Sequence, residues 1–174
     1  MLPKTVVRKK LLVVGSEWPE PNSSAAGSRM MQILSVFLTQ DYLIVYAATA
    51  HISEFMFDLK AIAIETVQIS VNDDKFDDFL KQQQPSVVLF DRFIAEEQFG
   101  WRVTENCPFC IKILDTEDLH FLRKARQQSI KKYANLDHVN LFSDVAKREI
   151  ASILRCDLSL VISSFEINLL QNTF

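Results

Sequence analysis

Residues 113–126, ILDTEDLHFLRKAR, gather three carboxylates, one histidine and three basic side chains at the end of an apolar run. Asp115 ends that run, and Asp118, His120 and Arg123 follow at spacings that can point them towards the same space. Carboxylates and imidazole exchange hydrogen bonds with hydroxyl groups, so this set of side chains suits the recognition of a polyol. His120 and Asp118 are the candidate catalytic groups, because an imidazole or a carboxyl group can transfer a proton.

The same residues also have a structural explanation. Asp118 can cap a following helix, with His120 and Arg123 on the exposed face of that helix. For the whole cluster at a strand end we favour a binding site, in which Asp115, Glu117 and Arg123 contact the substrate. The spacing of the carboxylates and the histidine matches no known metal motif, so no metal site is predicted.

These residues need a fold that brings them together, and the hydrophobic pattern predicts one. Apolar runs typical of strands alternate with helical patterns about six times. The predicted strands cover residues 10–15, 42–48, 64–70, 86–91, 109–115 and 158–163. The predicted helices cover residues 30–38, 53–59, 72–84, 95–103, 143–155 and 164–170, and a further helix starts at about residue 119.

Several predicted strands are apolar throughout, as expected when helices cover both faces of a sheet. The sequence therefore predicts a Rossmann-like, doubly wound α/β fold: a mostly parallel sheet of about six strands with helices on both faces. We expect residues 1–174 to form a single domain. Ser53, Ser143 and Ser163 are predicted helix caps, and Glu166 stands at capping-box spacing from Ser163.

Ligands of such sheets bind beyond the carboxyl ends of the strands, so polar residues that follow strands are candidate ligands. Polar groups follow the first, fourth, fifth and sixth predicted strands. Asp91 ends the fourth strand and is a candidate substrate-binding residue. All four groups lie at the same predicted edge of the sheet, where the loops are expected to build a pocket.

The first loop, residues 16–28, joins the first strand to a helix through small residues. Ser24, Gly27 and Arg29 are candidate substrate-binding residues there, because backbone N–H groups at a helix N-terminus can hold an anion. The loop contains neither a G-x-G-x-x-G nor a Walker A sequence. An equally supported interpretation is a flexible loop in which Ser24 or Ser28 caps the helix.

Composition favours one packed domain, because 48% of the 174 residues are hydrophobic and 24% are charged. A net charge of −3 argues against a surface that binds nucleic acid. The first apolar run stops at Gly15, too short for a signal peptide, and no run approaches the ~20 residues that a membrane-spanning helix requires. We expect a soluble cytoplasmic protein, with a peripheral contact to a membrane surface left open.

Three cysteines do not predict a disulfide framework. Cys107 and Cys110 form the sequence CPFC, the spacing of a thioredoxin-like redox pair, whose first thiol lies at a helix N-terminus. Here Cys110 leads directly into a predicted strand, so packing in the core is favoured over a redox role.

Three segments resemble the N-terminal domain of family-4-like (group 1) glycosyltransferases. DTEDLHFLRKAR resembles the family's D-T-x-D-L-H-x-L-R stretch. LLVVGSEWPEPNSSAAGSRMMQIL is similar to the opening strand, loop and helix of that domain, although it lacks the paired glycines common in the wider family. REIASILRCDLSLVISSFEINLL resembles the closing helix and strand.

The resemblance implies a GT-B architecture, in which an N-terminal domain mostly receives the acceptor and a C-terminal domain holds the nucleotide-sugar donor. It implies transfer of a sugar with retention of configuration to a glycan, a lipid or another acceptor, with no obligatory metal or other cofactor. Gly27 and its neighbours would line the cleft near the donor diphosphate, and residues 115–120 would face the reacting sugar. On this basis the chain is the acceptor-side domain, the donor-binding domain is its missing partner, and the chain alone is inactive.

Two other classes are left open. A stand-alone sugar-binding, nucleotide-binding or adaptor module would keep the fold without catalysis, and it would bind its ligand without a second domain. A receiver-like signalling domain would place acidic residues after the first strand and a phosphoacceptor aspartate at a central strand end. Glu17, Glu20 and Asp91 resemble that pattern, but the chain is longer than such domains and lacks the matching lysine.

Overall fold

The computed structural model describes residues 8–174. The strands are β1 (Lys10–Gly15), β2 (Leu43–Ala48), β3 (Glu65–Gln68), β4 (Val87–Asp91), β5 (Ile111–Asp115) and β6 (Leu158–Leu160). The helices are α1 (Ala25–Thr39), α2 (Lys75–Gln83), α3 (Arg92–Asn106), α4 (His120–Tyr133), α5 (Asp144–Arg155) and α6 (Ser164–Thr173), with a short 3₁₀ turn at Leu59–Ile62. No helix in this described part of the chain is long and apolar enough to cross a membrane.

The six strands of this described part pair in parallel in one sheet, in the order β3-β2-β1-β4-β5-β6. The predicted fold class is confirmed as a Rossmann-like, doubly wound sheet flanked by helices. The receiver-like alternative is wrong, because those domains have the strand order 2-1-3-4-5. The order reverses between β1 and β4, and ligands of such folds bind in the crevice beyond the carboxyl ends at that point.

Both faces of the sheet are buried, because neighbouring residues of each strand point to opposite faces. On one face Val13 belongs to a core that includes Leu34 of α1. On the other face Leu12 belongs to a core that includes Phe76 of α2 and Phe99 of α3. Burying one such side chain contributes about 1.5–3 kcal/mol, so the two cores fix α1 and α3 against the sheet.

Two helices begin earlier than the hydrophobic pattern predicts. α1 begins five residues earlier, and Ser24 caps it by accepting a hydrogen bond from Gly27 N at 3.0 Å. Its first turn consists of small residues, which leave no apolar stripe in the sequence. α3 begins at Arg92, directly after the last residue of β4, so no turn residue separates strand from helix.

The predicted helix over residues 53–59 is wrong. Ser53 does not cap a helix; its Oγ donates a hydrogen bond to Glu20 Oε1 at 2.9 Å. Phe57 N donates to Pro19 O at 3.0 Å. The segment is therefore bound to the loop after β1, which satisfies backbone groups that a helix would pair internally.

Serine caps are confirmed for the last two helices, but the role predicted for Glu166 is wrong. Ser143 caps α5 and Ser163 caps α6, each by accepting from the N–H three residues further on. A capping box would return the Glu166 side chain to Ser163 N. Instead its Oε1 accepts from Leu119 N at 3.2 Å and its Oε2 from Ile162 N at 3.4 Å, because α6 packs beside the first turn of α4.

The cysteine pair is packed at the junction of α3 and β5. Cys107 directly follows the last residue of α3 and is 4% exposed, and Cys110 packs against the same core. Burial raises the pKa of the Cys107 thiol and raises the pKa of Cys110 to about 11. Both thiols are therefore protonated at neutral pH, which agrees with packing and not with a redox role.

Gly27 lies where the loop after β1 crosses the first turn of α1. A Cβ atom at this position would lie 2.5 Å from C and 2.6 Å from N of Glu20. Side chains do not approach backbone atoms so closely, so only glycine lets the loop and the helix touch here. This contact holds the loop in place at the carboxyl end of the sheet.

We expect Gly27→Ala to lower the free energy of unfolding by about 2–4 kcal/mol, because backbone must move to admit the new methyl group. Gly100→Ala is the comparison: its Cβ would meet side-chain atoms of Glu96, which Arg155 holds, and no backbone atom, so we expect a smaller loss. In a helix interior this change gains about 0.5–1 kcal/mol of propensity. Urea unfolding followed by circular dichroism measures both variants, and similar losses in the two would contradict the packing argument.

Candidate functional site

Two buried carboxylates stand side by side at the carboxyl ends of adjacent strands. Asp91 ends β4, Asp115 ends β5, and the two residues are direct partners in the strand register. Asp91 is 8% exposed and Asp115 is 2% exposed. Neighbouring carboxylates that are buried repel each other and lose hydration, so this end of the sheet needs cations.

Arg29 brings one cation from α1. Its Nη2 lies 2.8 Å from Asp115 Oδ1, and its Nε lies 3.0 Å from Oδ1 and 3.2 Å from Oδ2. These hydrogen bonds raise the pKa of Arg29 above its ordinary value. The pair joins the first and fifth loops, so the structure brings together two groups that the sequence predicts at one rim of the sheet.

Arg92 brings the second cation, and the sequence prediction missed it as a site residue. Its Nε lies 2.8 Å from Glu117 Oε2 and 3.4 Å from Asp91 Oδ1, and its Nη2 lies 3.6 Å from Glu17 Oε2. Within residues 8–174 the buried Nε makes no hydrogen bond, because its N–H does not point along these ionic contacts. The one sequence signal was its position directly after a strand-ending aspartate.

Arg92 and Glu117 share an unusual backbone conformation. Their φ angles are 70° and 63°, in the left-handed region that side chains other than glycine rarely adopt. Such strain costs on the order of 1–3 kcal/mol per residue and is concentrated at functional sites in proteins. The two strained residues form an ion pair with each other at the strand ends.

Asp91 is the buried carboxyl of this cluster whose acidity is altered most clearly. Burial raises its pKa to about 6, the charges of Asp115 and Glu117 act in the same direction, and Arg92 opposes them. Gly15 lies beside the Asp91 carboxyl group and has no side chain to crowd it: a Cβ atom on residue 15 would lie 3.4 Å from Asp91 Oδ2. Asp91 can therefore both accept and donate a proton near neutral pH.

Tyr46 lies on the other side of Gly15, and the sequence prediction did not include it. The Tyr46 hydroxyl donates a hydrogen bond to Glu17 O at 3.3 Å. A Cβ atom on residue 15 would lie 3.3 Å from the same hydroxyl oxygen. Burial raises its pKa well above the ordinary value, with the Asp91 charge acting in the same direction. The hydroxyl is therefore a permanent hydrogen-bond donor beside the buried carboxyl.

Asp118, His120 and Arg123 lie together at the first turn of α4. Arg123 Nη1 lies 3.1 Å from Asp118 Oδ1, and Arg123 Nη2 lies 2.9 Å from His120 Nδ1. The His120 ring meets the Phe93 ring edge-on at 5.7 Å between centroids. Burial first, and then the charge of Arg123, lowers the pKa of His120, so its imidazole is neutral at neutral pH.

The alternative role of Asp118 as the cap of α4 is wrong, because two glutamates from other helices hold that turn. Glu149 Oε1 accepts from His120 N at 3.0 Å and its Oε2 from Phe121 N at 2.8 Å. Glu166 accepts from Leu119 N, one residue earlier. No sequence signal near α4 indicated either glutamate, since they lie about 30 and 45 residues further along the chain.

The first loop does not offer its amides as an anion site. Ser24 already accepts from Gly27 N, and Gly27 is covered by Glu20, so the helix-cap interpretation is the one observed. Ser28 is not the cap; its Oγ donates to Pro21 O at 2.9 Å. Ser24 and Gly27 thus have structural roles here, whereas Arg29 joins the charge cluster.

A polar pocket of about 290 Å³ lies between this loop and the residues that follow β2. Its lining is Glu17, Trp18, Glu20, Ser24, Ala50, His51 and Ser53. The Glu20 carboxylate accepts from Ser53 at 2.9 Å and from Ser23 at 2.8 Å, so it is held in place. The Trp18 ring lies 5.7 Å from the Tyr46 ring, between centroids and tilted by 35°, and separates the pocket from the core. Neither His51 nor Ser53 was predicted at a site, because contacts between two loops leave no hydrophobic pattern in the sequence.

Among residues 8–174, no group of three or more histidine, cysteine, aspartate or glutamate side chains is placed to hold a metal ion. The carboxylates of the cluster instead face guanidinium groups. This arrangement can recognise hydroxyl groups and exchange protons through Asp91 and His120.

The chain is similar to known structures in its fold. It matches the crystal structure of the Bordetella bronchiseptica enzyme WbmH in complex with NAD+ over 95% of its length, with a TM-score of 0.51 and 14% identity. It matches an alpha-glucosyltransferase in complex with UDP and a 13-mer DNA containing a HMU base over 88% of its length, with a TM-score of 0.50 and 8% identity. It spans only 63% and 37% of those two chains. No protein-family model and no curated protein matches the sequence.

We expect Arg29→Ala to lower the free energy of unfolding by about 3–5 kcal/mol, because Asp115 would be left buried without a partner. Arg8→Ala is the matched control: its pair with Asp41 is exposed, with side chains 56% and 70% accessible, and its loss is worth about 1 kcal/mol or less. Urea unfolding of both variants measures the difference. A loss for Arg29→Ala as small as that for Arg8→Ala would show that the pair does not hold the rim.

We expect the free energy of unfolding to fall as pH rises from 5 to 8. In the folded protein burial raises the pKa of Asp91 to about 6 and that of Glu149 to about 7, whereas both are near 4 in an unfolded chain. The folded state therefore holds extra protons, and the stability they contribute below pH 4 is lost through pH 6–7. For Glu149 this loss is on the order of 2–3 kcal/mol.

Glu149→Gln removes one titrating group and is expected to flatten the curve of unfolding free energy against pH between pH 6 and 8. Exposed Glu105→Gln is the control and should keep the wild-type slope. Urea titrations at several pH values give the slopes, and an unchanged slope in Glu149→Gln would refute the assignment.

Proposed function

We propose that the chain is the acceptor-side domain of a family-4-like GT-B glycosyltransferase, which moves a sugar from a nucleotide-sugar donor to a glycan, a lipid or another acceptor. The Rossmann-like fold and its likeness to a UDP-bound alpha-glucosyltransferase support this class. The resemblance around residues 115–123 supports the family-4-like group and, with it, retention of configuration.

The main observation behind the proposal is that the polar pocket and the charge cluster meet at Glu17. Glu17 lines the pocket, and its Oε2 lies 3.6 Å from Arg92 Nη2. A pocket of about 290 Å³ is at the low end of the range for ligand sites, which suits a single sugar unit. Carboxylates and serine hydroxyls in the lining match the alternating donors and acceptors of a sugar ring.

Within this proposal each charged residue has a role. Arg29 holds the buried Asp115 as a support at the strand ends, and Arg92 holds Glu117, which is in position to accept hydrogen bonds from the acceptor. Asp91, with its pKa raised to about 6, and neutral His120 are the groups able to take up a proton from a reacting hydroxyl. Asp118 and Arg123 orient His120, and no metal or other cofactor is required.

A second, donor-binding domain completes the proposed enzyme. In a transfer between two bound substrates, most of the rate advantage comes from holding them in a reactive geometry. We therefore propose that residues 1–174 are inactive alone, that a donor-binding domain is their partner, and that the enzyme acts in the cytoplasm.

A stand-alone nucleotide-binding module is the second candidate, because the sheet order is that of dinucleotide-binding folds and WbmH is similar in fold and bound to NAD+. The residues present do not fit a dinucleotide. The Gly27 amide is taken by Ser24, and the space above Gly27 is filled by Glu20. β2 ends at Ala48 and continues into Thr49, so no carboxylate stands ready for a ribose.

Calorimetry on the 174-residue chain distinguishes the two candidates. UDP-glucose, UDP and NAD+ are titrated separately into the protein. An acceptor-side domain is expected to bind each nucleotide with a Kd weaker than about 1 mM, because the donor site lies elsewhere. Micromolar affinity for any of them would contradict the proposal and favour the binding module.

Saturation-transfer NMR with simple methyl glycosides tests the pocket itself. The wild-type chain is expected to transfer saturation to at least one glycoside, and Glu20→Gln should lower that signal because the carboxylate anchors the pocket wall. Glu105→Gln, an exposed change on α3, is the control. Transfer that persists unchanged in Glu20→Gln would exclude this pocket as the acceptor site.

A further inference from the structure

A second pocket, of about 420 Å³, lies between the loop after β1 and the residues that follow β2. Three consecutive apolar side chains belong to its lining, Phe55, Met56 and Phe57. The other lining residues are Pro21, Asn22, Ser23, Glu54 and Asp58. We call this cavity the Phe55 pocket.

The Phe55 pocket and the polar pocket meet at the carboxylate of Glu20. Glu20 lines the polar pocket, and its Oε1 accepts a hydrogen bond from Ser53 of the same lining. Its Oε2 accepts at 2.8 Å from Ser23, which lines the Phe55 pocket. The same two segments of the chain enclose both pockets, so this carboxylate stands in the wall between them.

The apolar side of the Phe55 pocket is held in place by the core. Met56 and Phe57 are partly buried and pack against the core that includes α1. Phe57 N donates to Pro19 O at 3.0 Å, and Leu59 is fully buried. Phe55, in contrast, is 67% exposed. A ligand can therefore cover an aromatic ring whose backbone is already ordered, which lowers the entropic cost of binding.

The charged groups of the two pockets are carboxylates. Glu17 and Glu20 line the polar pocket, and Glu54 and Asp58 line the Phe55 pocket. Among the described residues, no lysine or arginine lines either pocket. Carboxylates accept hydrogen bonds from hydroxyl groups but repel a phosphate or another carboxylate. The combined site therefore favours a ligand that has hydroxyl groups and carries no negative charge.

We propose that the acceptor is an uncharged glycoside, whose sugar ring lies in the polar pocket and whose apolar aglycone lies in the Phe55 pocket. This inference rests on the proposed function, because it names the acceptor of the same site. The aglycone covers the exposed Phe55 ring and so removes apolar surface from water. The carboxylates of the lining disfavour acceptors in which the sugar is attached through a phosphate.

The two pockets also orient the sugar. The polar pocket reaches the charge cluster at Glu17 and the Phe55 pocket at Glu20. An aglycone is bonded to C1 of the sugar ring, so C1 faces Glu20 and the hydroxyl groups across the ring face Glu17. The sugar thus presents ring hydroxyls to the cluster that contains Arg92 and Asp91.

A second copy of the chain fits the Phe55 pocket less well. Across a symmetric interface Glu54 and Asp58 would face the same residues of the partner, and like charges oppose association. The aglycone of a bound glycoside brings no such charge, and the sugar beside it is already positioned by the polar pocket.

NMR titration of the 174-residue chain tests the inference. Methyl, phenyl and octyl glycosides of glucose, galactose and mannose are compared, with the octyl compounds kept below the concentration at which they form micelles. For at least one sugar, the octyl or the phenyl glycoside should bind at least about tenfold more tightly than the methyl glycoside, because more apolar surface is buried. The tighter of these two identifies a chain-like or a flat aglycone.

Failure of this inference is distinct from failure of the proposed function. Methyl glycosides that bind as tightly as octyl and phenyl glycosides would overturn the inference and leave the sugar pocket of the proposed function in place. No binding of any glycoside would count against the proposed acceptor site itself and overturn the inference with it.

Phe55→Ser locates the aglycone. This variant should bring the affinity for octyl and phenyl glycosides to within about twofold of that for the methyl glycoside, which should stay unchanged. Phe109→Ser is the matched control, because Phe109 is 98% exposed, lies between α3 and β5 and lines neither pocket. Circular dichroism verifies that both variants fold. A preference for apolar aglycones that persists in Phe55→Ser, or that falls equally in Phe109→Ser, would refute the assignment.

Charged probes and the oligomeric state test the other occupants. Octyl phosphate should bind at least about tenfold more weakly than the best octyl glycoside, because carboxylates line both pockets. Octylammonium that binds more tightly than every glycoside would overturn the proposal in favour of a cationic ligand. Dimers in sedimentation velocity that Phe55→Ser abolishes, with no preference for apolar aglycones, would assign the Phe55 pocket to a second copy of the chain.

Discussion

The bidentate pair between Arg29 and Asp115 is the interaction on which the rim of the sheet depends. Parallel pairing of β4 and β5 puts Asp91 and Asp115 side by side in a buried position. The planar fork of an arginine can contact both oxygens of one carboxylate, which a lysine ammonium cannot do. The pair therefore neutralises one aspartate and at the same time fastens the start of α1 to the end of β5.

A second consequence of this pairing is that the other aspartate, Asp91, has a raised pKa. Arg92 is shared among Asp91, Glu117 and Glu17, so it compensates each of them only in part. Burial then dominates at Asp91 and raises its pKa to about 6. One sheet edge thus contains a carboxylate paired with a guanidinium and, beside it, one whose pKa burial raises.

Much of the fold was predictable, because the sheet is made of runs that are apolar on both faces. The ends of β4 and β5 were predictable for the same reason, and with them Asp91 and Asp115, whereas β3 and β6 end two and three residues earlier than predicted. Arg29 was named for a different reason, as an anion-binding residue, and its partner is a carboxylate of this chain. Residues 53–59 were mispredicted because their apolar residues contact a neighbouring loop, which local periodicity cannot distinguish from a helix face.

The residues that sequence analysis missed share one property: their partners are distant in the chain. Arg92 has a left-handed backbone conformation, which the sequence would indicate only if the residue were a glycine. Glu149 and His51 reach their partners across 29 and 17 positions. Capping and amphipathic patterns in the sequence describe the ends and faces of the helix or strand that contains them. They do not reveal a side chain whose hydrogen-bond partner lies in a different helix or strand.

Glu166 gives α6 a direct hold on the segment that precedes His120. Its carboxylate accepts the Leu119 amide, and its neighbours Phe165 and Ile167 are 55% and 41% exposed. α6 also contacts α4 through the rings of Phe174 and Phe121, so a change in how α6 packs reaches the start of α4 without passing through the sheet. The last helix therefore fixes the backbone one residue before His120.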